Sequence, residues 1–168
     1  VVATQMSNLG LERYLERRGL TLARTQVGDR YVVEHMRAHG FNVGGEQSGH
    51  IVLSDFTTTG DGLMTALQLL AIMAREGVSL SELTADFKRY PQVIVNVDVA
   101  QKKDLETLSE FNAAVARVED ILDGKGRVLI RYSGTELKAR VMVEGEEEDH
   151  VLELAESLAG ALAKALTD

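Results

Sequence analysis

The 168-residue sequence contains no cysteine, a single proline and no hydrophobic run long enough to cross a membrane. Without cysteine, the chain has no disulfide, no thiolate metal site and no cysteine nucleophile. It also lacks a basic and apolar segment of the signal-peptide type, and these absences together predict a cytoplasmic protein. Because the chain starts at Val1 and not at methionine, we expect it to be a fragment.

What the sequence does contain is typical of a globular protein, with 45% hydrophobic and 26% charged residues. The formal net charge is −8, and residues 91–168 carry most of the excess of acidic side chains. This charge disfavours nucleic acids and anionic membranes as partners. Residues 125–140 reverse the trend, since they hold five Lys or Arg and only Glu136 as an acid. We interpret this basic window as a candidate anion site.

Hydrophobic periodicity predicts two domains that meet at the only proline, Pro91. Strands and helices alternate in residues 1–90, which favours an α/β domain. Its predicted strands cover residues 1–6 and 20–26, an extended segment covers 41–53, and its predicted helices cover 9–18, 31–39 and 62–75. The helix over 62–75 is apolar on most sides and is predicted to be buried. A capping box, Ser79 with Glu82, predicts a further helix that ends near Tyr90.

Residues 91–168 predict a small α+β domain with the order β-α-β-β-α. Valines alternate from Val93 to Val99, as in a half-buried strand. Apolar residues spaced by three or four predict a helix from Leu105 to Leu122, and leucines spaced by four predict the last helix. Strands are expected at 127–132 and 138–144, on either side of a turn.

The first polar segment that could carry chemistry is Gly-Gly-Glu-Gln-Ser-Gly-His at residues 44–50. If it is extended, Glu46, Ser48 and His50 project to one side, because side chains alternate along a strand. A carboxylate there could accept hydrogen bonds from two neighbouring sugar hydroxyls. The alternative is a glycine-rich turn with a solvated polar edge. The pattern does not match the Gly-x-Ser-x-Gly of serine hydrolases, because Glu46 stands where a glycine is required.

The second segment is Arg-Tyr-Ser-Gly-Thr-Glu at residues 131–136, between two predicted strands of the basic window. Arginine offers a planar fork to a phosphate, and hydroxyls with turn amides complete such a site. Gly134 would permit a tight backbone path. The alternative is a hairpin with incidental basic residues, and the segment is not a Walker loop.

Three weaker candidates remain. Gly28, Asp29 and Arg30 could form a polar loop over the same ligand, or merely turn from a strand into a helix. The segment from residue 57 to 62 is interpreted as a helix cap. The histidines at 35, 39 and 150 lack metal-site spacing and are expected at the surface or at helix edges.

Taken together, four segments resemble the bacterial phosphoglucosamine mutase family of the α-D-phosphohexomutase superfamily. They are VVATQMSNLGLE, VGDRYVVEHM, GGEQSGHIVLSDFTTTGDGL and RYSGTELKARVMVEGE, and they span nearly the whole chain. The resemblance implies that residues 1–90 are a partial sugar-binding α/β domain, the third of four. It implies that residues 91–168 are the C-terminal phosphate-binding α+β domain.

The resemblance also assigns the site residues. The sugar would be bound by a set on two loops: Glu46, Ser48, His50, Gly28, Asp29 and Arg30. The phosphate that is not transferred would be bound by a set on one loop: Arg131, Ser133, Gly134, Thr135 and Lys138. Leu137 departs from the family, which usually has proline there, and this puts the rigidity of the loop in doubt.

The family implies a phosphoserine, Mg²⁺ and a glucosamine 1,6-bisphosphate intermediate in the full-length enzyme. Its phosphoserine segment, like TASHNP, and its magnesium loop, like DGDGDR, are both missing from this sequence. We therefore expect no catalytic residue, no metal site and no activity in this chain. Its expected partners are a sugar phosphate, the missing N-terminal domains and a second copy of the intact enzyme. The alternatives are a phosphomannomutase or phosphoglucomutase, a non-catalytic sugar-phosphate-binding module, and a purely structural interaction module.

Overall fold

In the computed structural model, which describes residues 1–167, the chain forms two compact units, Val1–Arg89 and Tyr90–Asp168. The first unit has four short strands: β1 (Val2–Thr4), β2 (Ala23–Thr25), β3 (Val43–Gly45) and β4 (Ile51–Leu53). Its four helices are α1 (Leu9–Glu16), α2 (Asp29–His39), α3 (Gly62–Glu76) and α4 (Leu80–Leu83). The predicted alternation of strands and helices in this half is confirmed.

The sheet of the first unit has the strand order β2-β1-β3-β4. Strand β1 is parallel to both of its neighbours, whereas β3 and β4 pair antiparallel as a hairpin. Helix α2 packs on one face of this sheet, where Val32 and Met36 meet Val2 and Val52 in a buried cluster. Gly44 lies under that helix, and a Cβ there would overlap the Met36 sulfur. The sheet and α2 therefore hold the β3–β4 hairpin in place.

Helix α3 forms where the sequence predicts it, but the prediction that it is buried is wrong for the unit as described. None of its residues is buried, and Leu63, Leu67 and Leu70 are 73%, 52% and 58% exposed. Within the first unit, α3 contacts mainly β4 and α4. A helix that is apolar on most sides needs neighbours on most sides, and these two elements cover only part of it.

The capping box at the start of α4 is confirmed, because Ser79 and Glu82 bond to each other's backbone amides. The hydrogen bond from Ser79 lowers the pKa of the Glu82 carboxyl. The helix does not continue to Tyr90, however, and ends at Leu83. Beyond it, Phe87 packs edge-on against Tyr14, with 5.9 Å between the ring centroids. This tertiary contact with α1 replaces the predicted helical turns.

The second unit has the predicted β-α-β-β-α order. Its elements are β5 (Gln92–Asp98), α5 (Ser109–Leu122), β6 (Arg127–Tyr132), β7 (Lys138–Glu144) and α6 (Glu148–Thr167). The first turn of the helix predicted from Leu105 is a separate 3-10 turn, Leu105–Thr107. The sheet is antiparallel, with the order β5-β7-β6.

The core of the second unit lies between this sheet and its two long helices. Val141 and Val143 on the central strand are fully buried, and Phe111 and Leu158 from the helices are 2% and 1% exposed. The buried Glu144 ends the same strand and bonds to Arg127 at 2.6 Å and Gln92 at 3.2 Å, one from each neighbouring strand. None of the described helices is both long enough and apolar enough to cross a bilayer.

Candidate functional site

The segment that carries Glu46, Ser48 and His50 is the tip of the β3–β4 hairpin, and it is not extended. The Glu46 amide donates to the His50 carbonyl at 2.8 Å, and the Gly49 amide donates to the Glu46 carbonyl at 3.1 Å. These bonds close residues 46–50, which we call the hairpin tip, into a turn. The arrangement that an extended segment would give, with the three side chains on one side, is therefore wrong, and the alternative of a glycine-rich turn is confirmed. Gly49 allows the turn through its φ of 95°.

The hairpin tip is joined to the start of α2 by the carboxylate of Glu46. Its Oε1 accepts a hydrogen bond of 3.0 Å from the amide of Gly28. Gly28 has a φ of 134°, and it is the residue from which α2 begins. The structure thus brings together two segments that lie 18 positions apart, as their grouping in the sequence analysis requires.

A second link runs between Asp29 and His50. Oδ2 of Asp29 lies 3.7 Å from Nδ1 of His50, whose side chain is 31% exposed. Ser48 is exposed at the hairpin tip. Arg30 turns the other way, along α2, where its guanidinium donates to Glu34 at 2.7 Å. That hydrogen bond raises the pKa of Arg30, which has no hydrogen bond to the hairpin tip in the described part of the chain.

The second candidate site lies where β6 turns into β7. Arg131 and Arg140 are directly opposite each other across these strands. The Nε atoms of both are buried and have no hydrogen-bond partner among residues 1–167. Burial lowers the pKa of Arg131, and the charge of Arg140 lowers it further. Two guanidinium groups side by side with unused donors favour an anion between or above them.

Residues 133–137 connect the two strands. We call this segment the basic loop, after the basic residues Arg131, Lys138 and Arg140 of the strands on either side of it. Ser133 is buried, and its amide donates to the Lys138 carbonyl at 2.8 Å. The Glu136 carboxylate lies beside the cations, 3.2 Å from the Arg140 guanidinium and 3.6 Å from the Lys138 ammonium. Its third contact is the Ser133 hydroxyl, at 3.4 Å. One carboxylate therefore occupies three groups that could bind an external anion.

Gly134 and Thr135 are exposed at the end of the basic loop. Gly134 does not have a positive φ, and a Cβ placed on it would meet nothing within 4 Å. The expected reason for this glycine, a tight backbone path, is therefore wrong. The open space in front of Gly134 leaves room for a ligand to approach the backbone. Leu137 is 58% exposed, and its carbonyl accepts the Val99 amide at 3.0 Å, which tethers the loop without proline.

Sequence reasoning did not include Arg140 or Lys102 among the site residues. Arg140 belonged to the basic window, and its position two residues after Lys138 could have placed both on one face of β7. Lys102 donates to the Ser133 carbonyl at 2.6 Å. No sequence signal marks Lys102, because it lies 31 positions from its partner.

Neither site is built for a metal ion. Among residues 1–167 there is no group of three or more His, Asp or Glu side chains placed to hold one. The imidazoles of His35 and His39 stack on each other, with 4.1 Å between their centroids, at the end of α2. His150 is exposed in the first turn of α6.

The segment from residue 57 to 62 ends in a cap, because Asp61 accepts the Met64 amide of α3 at 2.9 Å. The cap interpretation is therefore confirmed.

Comparisons with protein families match both halves of the chain. Residues 1–90 match the family model described as phosphoglucomutase/phosphomannomutase, alpha/beta/alpha domain III. Residues 94–161 match the model of the phosphoglucomutase/phosphomannomutase C-terminal domain.

Similar curated proteins include phosphoglucosamine mutases from Myxococcus xanthus and Magnetococcus marinus. Each is 54% identical to this chain, over 99% and 98% of its length. The matched regions cover 36% and 34% of those proteins. The chain thus spans about a third of the length of the curated relatives that it matches.

Solved structures with the same fold include the N-acetylphosphoglucosamine mutase of Aspergillus fumigatus. One structure of it has a TM-score of 0.82 at 24% identity and covers 98% of this chain and 38% of its own. Another, in complex with GlcNAc-6P and magnesium, has a TM-score of 0.79 at 23% identity, with the same coverage. At these identities the likeness shows the fold alone.

Proposed function

The chain belongs to the phosphoglucomutase/phosphomannomutase family, and we propose that it is the substrate-holding part of a cytoplasmic phosphoglucosamine mutase. The curated relatives at 54% identity are phosphoglucosamine mutases, which are isomerases, and this supports glucosamine phosphate as the substrate. In the proposed reaction, glucosamine 6-phosphate and glucosamine 1-phosphate interconvert through the 1,6-bisphosphate.

The observation that carries the proposal is the pair of arginines at the basic loop. A buried donor without a partner costs about 1–3 kcal/mol, and Arg131 and Arg140 each leave one. A phosphate dianion beside the two guanidinium groups would offset their two like charges. Ser133, Thr135, Lys138 and the amide of Gly134 complete the proposed phosphate site. A site of this kind holds the phosphate that is not being transferred.

The proposed sugar site is the hairpin tip together with the start of α2. Glu46 and Ser48 would bind sugar hydroxyls, and His50 and Asp29 would lie beside them. The Gly28 amide donates to one oxygen of the Glu46 carboxylate, so that this oxygen has a fixed position. Arg30 belongs to the proposed set as well, but it reaches a ligand only after it leaves Glu34. Groups that hold a substrate in one orientation lower a reaction barrier by several kcal/mol.

Phosphoryl transfer itself would depend on parts of the longer protein. The family's Mg²⁺ would offset charge on the transferring phosphate. No described residue set of this chain fits that ion. The chain would orient the substrate and would have no mutase activity by itself.

The test is a titration of this chain with glucosamine 6-phosphate, followed by amide NMR. We expect shifts at residues 131–135 and at residues 46–50. Arg131→Ala should weaken binding by about tenfold or more, since hydrogen bonds from charged donors contribute about 1.5–3 kcal/mol.

The matched control is Arg117→Ala, which removes the same charge from α5 outside the site and should leave the affinity unchanged. Mannose 6-phosphate and glucose 6-phosphate, titrated in parallel, test the sugar preference. Equal loss of affinity in both alanine variants, or shifts confined to other residues, would refute the proposed site.

A further inference from the structure

We infer that Gly60 is a positioning residue for the hairpin tip, because its missing side chain leaves the space in which the His50 imidazole packs. A Cβ built on Gly60 would overlap Nε2 and Cδ2 of His50. The inference rests on the proposed function, because it names what holds a residue of the proposed sugar site in place.

Backbone conformation gives no other reason for glycine at this position. Six glycines of the described chain have a positive φ, and Gly60 is not among them. Its φ is not one that favours glycine, whereas a Cβ at this position would take the room of the ring. Gly62, two positions later, is different, because a Cβ there would meet nothing within 4 Å.

The loop that carries Gly60 is fixed to the same helix that presents Asp29. Arg37 of α2 donates to the carbonyl of Thr58 at 3.3 Å, and Asp61 caps α3 directly after Gly60. The ring of His50 therefore lies between two anchored groups, the Asp29 carboxylate at its Nδ1 and the Gly60 backbone at its Nε2 side.

The position of the His50 ring affects the whole hairpin tip. His50 follows the turn that Glu46 begins, and the carbonyl of His50 accepts the amide of Glu46. If the ring is displaced, the Asp29 link is lost, and the turn that aims the Glu46 carboxylate at Gly28 loses one of its two attachments to α2. Gly60 would thus act on the sugar through His50 and would not touch it.

The experiment compares Gly60→Ala with Gly62→Ala in this chain. We expect Gly60→Ala to shift the ¹⁵N resonances of the His50 imidazole and the amide of Gly28. It should weaken glucosamine 6-phosphate binding at least about fivefold and leave inorganic phosphate binding at residues 131–135 unchanged. Gly62→Ala should change none of these quantities.

A double-mutant cycle covers the case in which Gly60→Ala destabilises the fold. Because the overlap is with the ring, the loss of thermal stability caused by Gly60→Ala should disappear when His50→Ala is also present. An equal loss in both backgrounds, or an unchanged His50 resonance in Gly60→Ala, would overturn the inference. Absence of shifts at residues 46–50 in the wild-type chain would refute the proposed sugar site instead, and the cycle would still decide the role of Gly60.

Discussion

At the scale of single residues, the most informative side chain is Glu136. It lies in a basic setting, where the hydrogen bond from Arg140 and the charge of Lys138 lower the pKa of its carboxyl. The same carboxylate contacts the Ser133 hydroxyl. Glu136 is thus the anion that pairs with the cations of the basic loop, and under the proposed function a phosphate would share those donors with it.

Glu136→Gln should therefore bind phosphate more tightly than the wild-type chain. The substitution keeps the shape of the side chain and removes a negative charge close to the expected phosphate. Like charges at such a short separation repel each other even in water, which predicts a gain of roughly three- to tenfold. Titration with inorganic phosphate, followed by the amides of residues 131–135, measures it.

Glu119→Gln provides the control, since it makes the same change near the C-terminal end of α5. It should leave the phosphate affinity as it is. Weaker binding by Glu136→Gln would contradict the expected competition between the Glu136 carboxylate and phosphate. It would mean that this carboxylate holds the basic loop in the conformation that binds phosphate.

At the scale of elements, α3 is the helix whose sequence and surroundings disagree. The helix is rich in leucine, as a buried helix is, yet its Leu70 is 58% exposed. Leu15 of α1, in the same unit, is 6% exposed. The two leucines differ mainly in what surrounds them.

Leu70→Gln should change the free energy of unfolding by less than about 1 kcal/mol, because little apolar surface is removed from water when α3 folds. Leu15→Gln should cost about 2–4 kcal/mol, because it buries a polar group and leaves part of a cavity. Urea denaturation of the two variants measures both values. A cost for Leu70→Gln as large as that for Leu15→Gln would contradict the exposed position of α3.

At the scale of the whole molecule, the two proposed binding sites lie in separate units. The hairpin tip and the start of α2 belong to Val1–Arg89, and the basic loop belongs to Tyr90–Asp168. Each unit has a core of its own. Each proposed subsite can therefore be tested separately within one chain.

The purified chain should show no turnover of glucosamine 6-phosphate, with or without Mg²⁺ and glucosamine 1,6-bisphosphate. The reason is that its sequence has no segment resembling that of the family's phosphoserine, and the role proposed for its residues is to hold the substrate. A coupled assay for glucosamine 1-phosphate measures it. Arg131→Ala, purified in the same way, is the control, because turnover by a contaminating enzyme would be the same in both preparations. Turnover that falls in the variant would contradict the prediction.

The sequence predicted most elements of both units because hydrophobic periodicity depends only on local spacing. The strands Arg127–Tyr132 and Lys138–Glu144 have the expected bounds, and the capping box Ser79 with Glu82 starts a helix as expected. Motif composition also selected the two polar segments that face a ligand in the proposed function. The functional groups of these side chains are known from the sequence, whatever fold the chain adopts.

Only the tertiary structure decided how these side chains are arranged. The bond from Gly28 to Glu46 and the overlap that excludes a side chain at Gly60 join residues from separate segments of the sequence. Strand register placed Arg140 opposite Arg131 and left their buried Nε atoms unpaired within residues 1–167. Helix α4 ends at Leu83, and Phe87 beyond it packs on Tyr14 of α1. Local spacing determines which elements form, whereas contacts between distant segments determine which groups meet.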